Sequence, residues 1–504
     1  MNRHFLTPFL IAFMAAIGTL SVTAQETNNH PMQGRRRMIS QEFVQRRAAS
    51  TQDKGPGGNY FLGEKHQLVV LASFADNPFL GDSAVALAQW NKILNAEHYD
   101  EAPFMGSLHD YFHDQSYGQF NLVCDLQFVR VDSCRRYRST ITDDENTQYL
   151  VQDIMASLKQ RNIEWERYDW NGDSYVNQLL IIFAGQGSSY AGLGPRSDAI
   201  WPHQSWLSMR FKDRQQGVYC DPDTVPYKGS YFIVDAYCAT QELYSDSTYG
   251  SFGTLCHEYT HCFGFPDFYM SGSSMAFIGE WDLMDSGNYC GGGFRPVGFS
   301  AHERWIMGWL TPTELTQATT VTAMPALADE PVAYLIRNDA YPDEFYMLEN
   351  RQKKGWDSEL PGSGLAVFHV DYVPSIWILG EVNTSNTQHY VLIPANNKSS
   401  FYYNSGWAYP YVNGSTVNNA LTDTSSPAAD LWHDSPSGTK RMSKPVTDIA
   451  VNDSLVSFSF MAAPSGVVPV NNDQSPKTEK ILRNGQLLIR HGNKTYTLQG
   501  LEIP

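Results

Sequence analysis

Five residues near the middle of the chain, His257-Glu258-Tyr259-Thr260-His261, have the types and spacing that metal-assisted hydrolysis needs. On a helix, side chains four apart share one face about 5–6 Å apart. Both imidazoles can therefore turn a nitrogen toward one Zn²⁺ ion. Glu258 is set to polarise water rather than to ligate. Zinc draws the pKa of its water toward about 7, which gives a nucleophile at neutral pH. A five-residue match also arises by chance in ordinary helices, so the surroundings decide. Phe252, Leu255, Tyr259 and Phe263 supply the apolar side of a buried helix. Gly264 is placed to end it in a left-handed conformation, and Pro266 blocks its continuation. The chain then offers Asp267 as third ligand, and the run reads H-E-x-x-H-x-x-G-x-x-D. Glu280, brought by a second helix, is the alternative third ligand. Trp281-Asp282-Leu283-Met284-Asp285-Ser286-Gly287 places a methionine in a tight turn. Met284 would form an apolar floor beneath the ligands without touching the ion; an ordinary core methionine is the other reading. Gly264, Asp267 and Met284 together favour Asp267. An Asp adds a negative charge that a third His would not, which leaves zinc a slightly weaker Lewis acid.

Other residues suggest secondary roles. Asp169, Asn171, Asp173, Tyr175 and Asn177 put oxygen-bearing residues at alternate positions, as a Ca²⁺ loop does. Leu180 stands where such a loop has its acidic twelfth residue, and Ser174 where it has glycine; a plain Asx-rich turn is the alternative. Tyr289 and His203 are candidate oxyanion or substrate donors, whereas Tyr269 reads equally well as packing. His302-Glu303 continues as Arg304-Trp305, so it is not a second metal motif. Glu349 and Arg351 brace a domain interface or form a surface ion pair.

These residues need a scaffold. Leu68–Phe74 and Leu179–Ala184 read as buried strands, Ser107–Phe112 and Thr147–Gln160 as helices, and 119–138 as a β-hairpin flanked by Cys124 and Cys134. This alternation predicts an α/β core over residues 63–311. Short alternating runs between turn residues then predict a β-sandwich-like domain over 312–463. Residues 464–478 read as a linker. Residues 479–504 read as a small β tail with turns at Asn484-Gly485 and Gly492-Asn493.

The N-terminus sets the compartment. Arg3 and His4 precede an apolar run from Phe5 to Leu20, and Val22-Thr23-Ala24 offers small residues for cleavage before Gln25. The run is broken by Thr7, Pro8 and Gly18, so residues 1–24 read as a signal peptide rather than a membrane span. Residues 25–62, with Arg35-Arg36-Arg37 and Arg46-Arg47, are either a disordered N-terminus or a propeptide with basic cleavage sites. Seven cysteines in 504 residues are not a disulfide scaffold, and the odd number leaves at least one thiol over. Cys220 with Cys238 is a second candidate pair. The charge of −17 argues against a nucleic-acid binder, and the 42% hydrophobic content argues against disorder.

Longer stretches carry a resemblance. Ser107-Leu-His-Asp-Tyr-Phe112, Ser116-Tyr-Gly118, Tyr168-Asp-Trp-Asn-Gly-Asp173, Ile200-Trp-Pro-His203, Phe252 through Tyr269, Gly279 through Met284, Leu348-Glu-Asn-Arg-Gln352 and Gly362 through His369 together resemble the immune inhibitor A family of secreted metallopeptidases, peptidase family M six. The resemblance covers roughly residues 66 to 372. It implies a metzincin-like zinc protease domain of α/β (α+β) class, with the family's His-Glu-His pattern falling on His257, Glu258 and His261. Residues 480–503 resemble short tails on secreted or surface proteins of Bacteroidota, some of which are sorting signals read by secretion machinery; a hairpin packed on the sandwich is the alternative.

The expectation is a secreted or cell-surface bacterial zinc endopeptidase acting on proteins or peptides. It has one catalytic zinc, a candidate calcium, no nucleic-acid partner and no span in the mature chain. The rival is a non-catalytic zinc-containing surface adhesin. Closed structural zinc sites are usually Cys-rich, and Cys256 and Cys262 point to different sides of a helix.

Overall fold

Strand β1 (Gly63–Phe74) shows why the molecule has a parallel core: its last eight residues are all buried, the pattern of a strand covered on both faces. The computed structural model describes residues 60–137, 146–188, 199–209, 211–212, 218–219, 222–245, 248–269, 278–379, 382–383, 387–461, 478–483, 486–491, 494–497 and 502–503. The chain divides into two units after Met461. The expected signal peptide, nearly all of residues 25–62 and residues 464–477 of the expected linker lie outside the described residues.

In the larger unit β1 pairs in parallel with β2 (Phe120–Val131) and β3 (Leu179–Gln186), and β3 pairs in parallel with β5 (Ala236–Ser245). Strand β4 (His203–Trp206) and the short β6 (Thr248–Tyr249) lie antiparallel to β5. Residues 119–138 are thus not a hairpin. Phe120–Val131 is one twelve-residue strand, followed by a short helix at Cys134–Tyr137. No turn dipeptide interrupts Phe120–Val131, so nothing in it reverses the chain. Cys124 and Cys134 are not joined by a disulfide, and Cys220 lies outside the described residues. Helices α1 (Ser83–Asn95), α2 (Leu108–Gln115) and α3 (Thr147–Leu158) accompany the sheet, α2 starting from a capping box between Ser107 and Asp110. Tyr60 and Phe61, at the edge of the expected propeptide, are buried in this core. Phe61 stacks against Phe263 (4.7 Å between centroids), and its carbonyl accepts from Trp309 Nε1 (2.8 Å).

Residues 311–461 add two mainly antiparallel layers, with the edge strand at Thr313–Glu314 paired in parallel. A five-stranded sheet runs in the order β7 (Thr313–Glu314), β9 (Ala333–Asn338), β10 (Tyr341–Arg351), β11 (Gly364–Asp371), β12 (Tyr390–Leu392). A three-stranded sheet joins β8 (Thr319–Met324) to β14 (Leu455–Phe460) and β13 (Val446–Asn452). Strand alternation sends Phe345, Met347, Ala366 and Phe368 into the core shared with the parallel sheet, and Tyr346, Leu348, Leu365 and Val367 into a second core facing the outer strands. The five-stranded sheet is therefore buried on both faces, and this region packs as part of the same unit as the parallel sheet. No helix among the described residues is long and apolar enough to cross a membrane. The smaller unit is a four-stranded antiparallel meander, β15 (Thr478–Arg483), β16 (Gln486–His491), β17 (Lys494–Thr497) and β18 (Glu502–Ile503).

Candidate metal centre

Helix α4 (Phe252–Thr260) carries the first histidine. Ser251 caps it: its Oγ accepts from Thr254 N (3.1 Å) and donates to Gly293 O (3.0 Å). Gly253 sits where the Gly287–Tyr289 turn lies on the helix backbone; a Cβ there would stand 1.9 Å from Asn288 O. The α-helix ends one residue early for the motif, because His261 opens a 3-10 turn, His261–Phe263. The two rings still converge, with centroids 5.0 Å apart and planes nearly perpendicular. Gly264 then takes the left-handed conformation (φ 96°), and its N–H bonds His261 O, as its position after the motif predicts.

The backbone around the turn fixes both rings. His257 Nδ1 donates to Leu283 O (2.9 Å) and His261 Nδ1 donates to Phe265 O (2.8 Å). Each Nε2 is thereby left as the metal-binding lone pair of the neutral ring. Asp267 Oδ1 lies 3.0 Å from His257 Nε2 and 3.5 Å from His261 Nε2. The three donor atoms stand within 4.8 Å of one another, and among the described residues no other group of three metal-ligating side chains is this close. Tetrahedral ligands held at about 2.0–2.1 Å from zinc stand about 3.3 Å apart, so two nitrogens and one oxygen at these separations fit that ion. Glu258 Oε2 is 3.9 Å from His261 Nε2, and the carboxylate is largely shielded from solvent.

Without a metal this cluster holds a proton instead. Burial favours a neutral His257, but the Asp267 hydrogen bond and charge, with Glu258 and the Leu283 carbonyl, outweigh it and push the ring up to about 9. Burial acts to raise the Asp267 pKa, yet the two histidines and the Tyr269 hydroxyl bring it below its usual value. A site that binds a proton against burial is one where a metal cation takes the proton's place.

The structure treats the remaining sequence candidates differently. Glu280 is outside the ligand group, and its carboxylate accepts from Asn404 Nδ2 (3.1 Å). Met284 is fully buried; its carbonyl accepts from Phe268 N (2.9 Å) and its amide donates to Asp282 Oδ1 (2.8 Å), so the methionine turn grips the segment that carries Asp267. His203 donates from Nδ1 to Trp201 O (2.6 Å), and its Nε2 meets the Tyr237 hydroxyl (3.1 Å) on the parallel sheet. Tyr289 stands close enough to Tyr269 for its charge to add to the rise in that phenol's pKa. Tyr269 itself, whose side chain sequence could not tell from packing, hydrogen-bonds Asp267; its place two residues past the ligand was the signal. The loop at Asp169 closes on itself. Asp169 Oδ1 accepts from Gly172 N and Asp173 N, its Oδ2 from Ser174 N, and Asp173 Oδ1 from Tyr175 N, at 2.8–3.1 Å. Asn177 Oδ1 accepts from Trp170 N (2.7 Å).

Glu349 and Arg351 are fully buried, not a surface pair. Arg351 donates twice to Asp357 (2.7 and 2.8 Å), once to Glu349 (3.0 Å), and to the carbonyls of Trp281 (3.2 Å) and Gly298 (3.1 Å). A buried guanidinium with every N–H used braces the 3-10 turn Gly279–Trp281, which leads into the methionine turn.

Residues 65–309 match the family described as immune inhibitor A peptidase M6, catalytic domain. Immune inhibitor A of Bacillus thuringiensis subsp. alesti is 25% identical to the chain over 275 residues, covering 47% of this chain and 38% of its own length.

Proposed function

We propose that the protein, whose residues 65–309 match the immune inhibitor A peptidase M6 catalytic domain, is a secreted zinc endopeptidase. The observation that carries the reading is the convergence of His257 Nε2, His261 Nε2 and Asp267 Oδ1 beside Glu258. Two imidazoles and one carboxylate are a donor set suited to zinc, and three protein ligands leave a position open, as catalytic zinc sites do. A zinc ion held there supplies a Lewis acid that acidifies water to about pH 7 and polarises a peptide carbonyl. The rest belongs to the protein. Glu258 takes the proton of the attacking water and delivers it to the leaving amine nitrogen. The Leu283 and Phe265 carbonyls hold the two rings in the tautomer that faces the ion. Tyr269 holds the Asp267 carboxylate. Secretion rests on the signal-like residues 1–24. Casein digestion by purified protein, with and without a zinc chelator, tests the reading: cleavage abolished by chelator and restored by Zn²⁺ is expected, and metal-independent cleavage would sink it.

A further inference from the structure

The ligand segment is gripped from beyond the matched domain. Asp267 lies after the helix, on extended chain, so no helical hydrogen bonds fix its backbone. Phe268, the next residue, is held on its amide by Met284 O. Its carbonyl accepts from Asn383 Nδ2 (2.7 Å), and the same amide group also donates to Tyr390 O (2.7 Å). Asn383 Oδ1 in turn accepts from the amides of His389 and Tyr390 (both 3.2 Å). The Phe268 ring is fully buried, edge-on to Tyr390 (4.6 Å) and Trp377 (5.3 Å). Tyr390 also places its hydroxyl 3.3 Å from Asp282 Oδ2 and 2.7 Å from Ser300 Oγ. Tyr390 thus touches both the segment that carries Asp267 and the methionine turn.

We propose that Asn383, supported by Tyr390 and Trp377, is a positioning residue for the third metal ligand, so that the catalytic unit extends past residue 309 into the five-stranded sheet. The physical reason is geometric. A short carboxylate reaches an ion only where its backbone puts it, and Asn383 fixes the carbonyl one residue away while the aromatic pair fixes the neighbouring ring. Groups behind a metal ligand typically change affinity by about 10–100-fold when removed. The inference rests on the proposed reading of His257, His261 and Asp267 as ligands.

The test is zinc affinity of the full chain, measured by competition with a chromophoric chelator, alongside melting temperature. Asn383→Asp keeps the two accepting bonds and loses the donations to Phe268 O and Tyr390 O. Tyr390→Phe keeps the ring and loses only its hydroxyl. Asn350→Ala is the control: Asn350 is equally buried and donates to Met324 O and Ser454 O (both 2.8 Å), remote from the ligands. We expect Asn383→Asp to weaken zinc binding about 10–100-fold, Tyr390→Phe to weaken it less, and Asn350→Ala to lower melting temperature with zinc affinity retained. Unchanged affinity in Asn383→Asp, or equal losses in Asn383→Asp and Asn350→Ala, overturns the proposal. Should Asn383→Asp fail to fold, Tyr390→Phe decides by the same comparison. Wild type that binds no zinc, or an Asp267→Asn variant that binds it as well as wild type, would instead overturn the ligand reading on which the inference stands.

Discussion

The segment around His257 and the loop around Asp169 are both rich in side chains that hold cations, yet their atoms are spent differently. At Asp169 the carboxylate oxygens accept from the loop's own backbone amides, so the side chains satisfy the turn. At His257 and His261 the backbone is satisfied first. Each ring gives its Nδ1 hydrogen to a carbonyl, and the remaining nitrogens face one carboxylate. Residue types alone do not show how donor atoms are spent: at Asp169 they serve the turn's amides, and at His257 and His261 one nitrogen of each ring is left over.

Substitutions can widen or collapse that contrast. The largest effect belongs to Glu258→Gln, which should lower casein cleavage by about 10²–10⁴-fold while metal analysis still finds zinc on the chain. Loss of zinc together with activity would mean that Glu258 ligates. Next is a paired comparison. Asp267→Asn should weaken zinc binding by more than about 100-fold, beyond what supporting groups give. Asp169→Asn should leave zinc binding intact and cost about 1–3 kcal/mol in urea unfolding, through loss of charge-assisted bonds to three amides. Gly253→Ala should cost about as much, about 1–3 kcal/mol, because the new methyl group meets the Asn288 carbonyl; unlike Asp169→Asn, it should also reduce cleavage, since the displaced turn leads back to Met284. The smallest effect is electrostatic. With metal-free His257 at about 9, zinc loading at pH 7 should release about one proton from that ring, read by calorimetry in buffers of different ionisation heat. The folded pKa lies above the unfolded value of about 6.5. The His257–Asp267 contribution to metal-free stability is therefore full below pH 6.5 and lost as pH rises through about 9. The Asp169 loop should show no such proton release.

Much of the centre was legible because its signals are local. The His-Glu-His spacing, the glycine that turns the chain and the proline that stops the helix all act within ten residues of His257. The parallel core could also be read from runs such as Leu179–Ala184, where continuous apolarity means burial on both faces. Residues 119–138 were misread because alternation marks a strand without naming its partner, and β1 lies far off in sequence. Sequence leaves Arg351 open between an interface brace and a surface pair for a related reason. A charged pair two apart on a strand looks solvated, and the Trp281 and Gly298 carbonyls that use up the guanidinium are invisible until the chain folds. The packing of the five-stranded sheet against the parallel-sheet core was hidden in the same way: period-two alternation in β10 and β11 suggests one wet face, yet both faces are dry.

The burial of Tyr60 and Phe61 carries a consequence for processing. Trimming up to Tyr60 keeps the contacts that Tyr60 and Phe61 make within the described unit. Trimming two residues further would strip Trp309 Nε1 of its acceptor and open a hole beside Phe263, one turn from His261. Phe61 therefore marks a limit for exoproteases: digestion that passes it should lower the melting temperature, and the size of that loss would report how firmly the turn that carries His261 is packed.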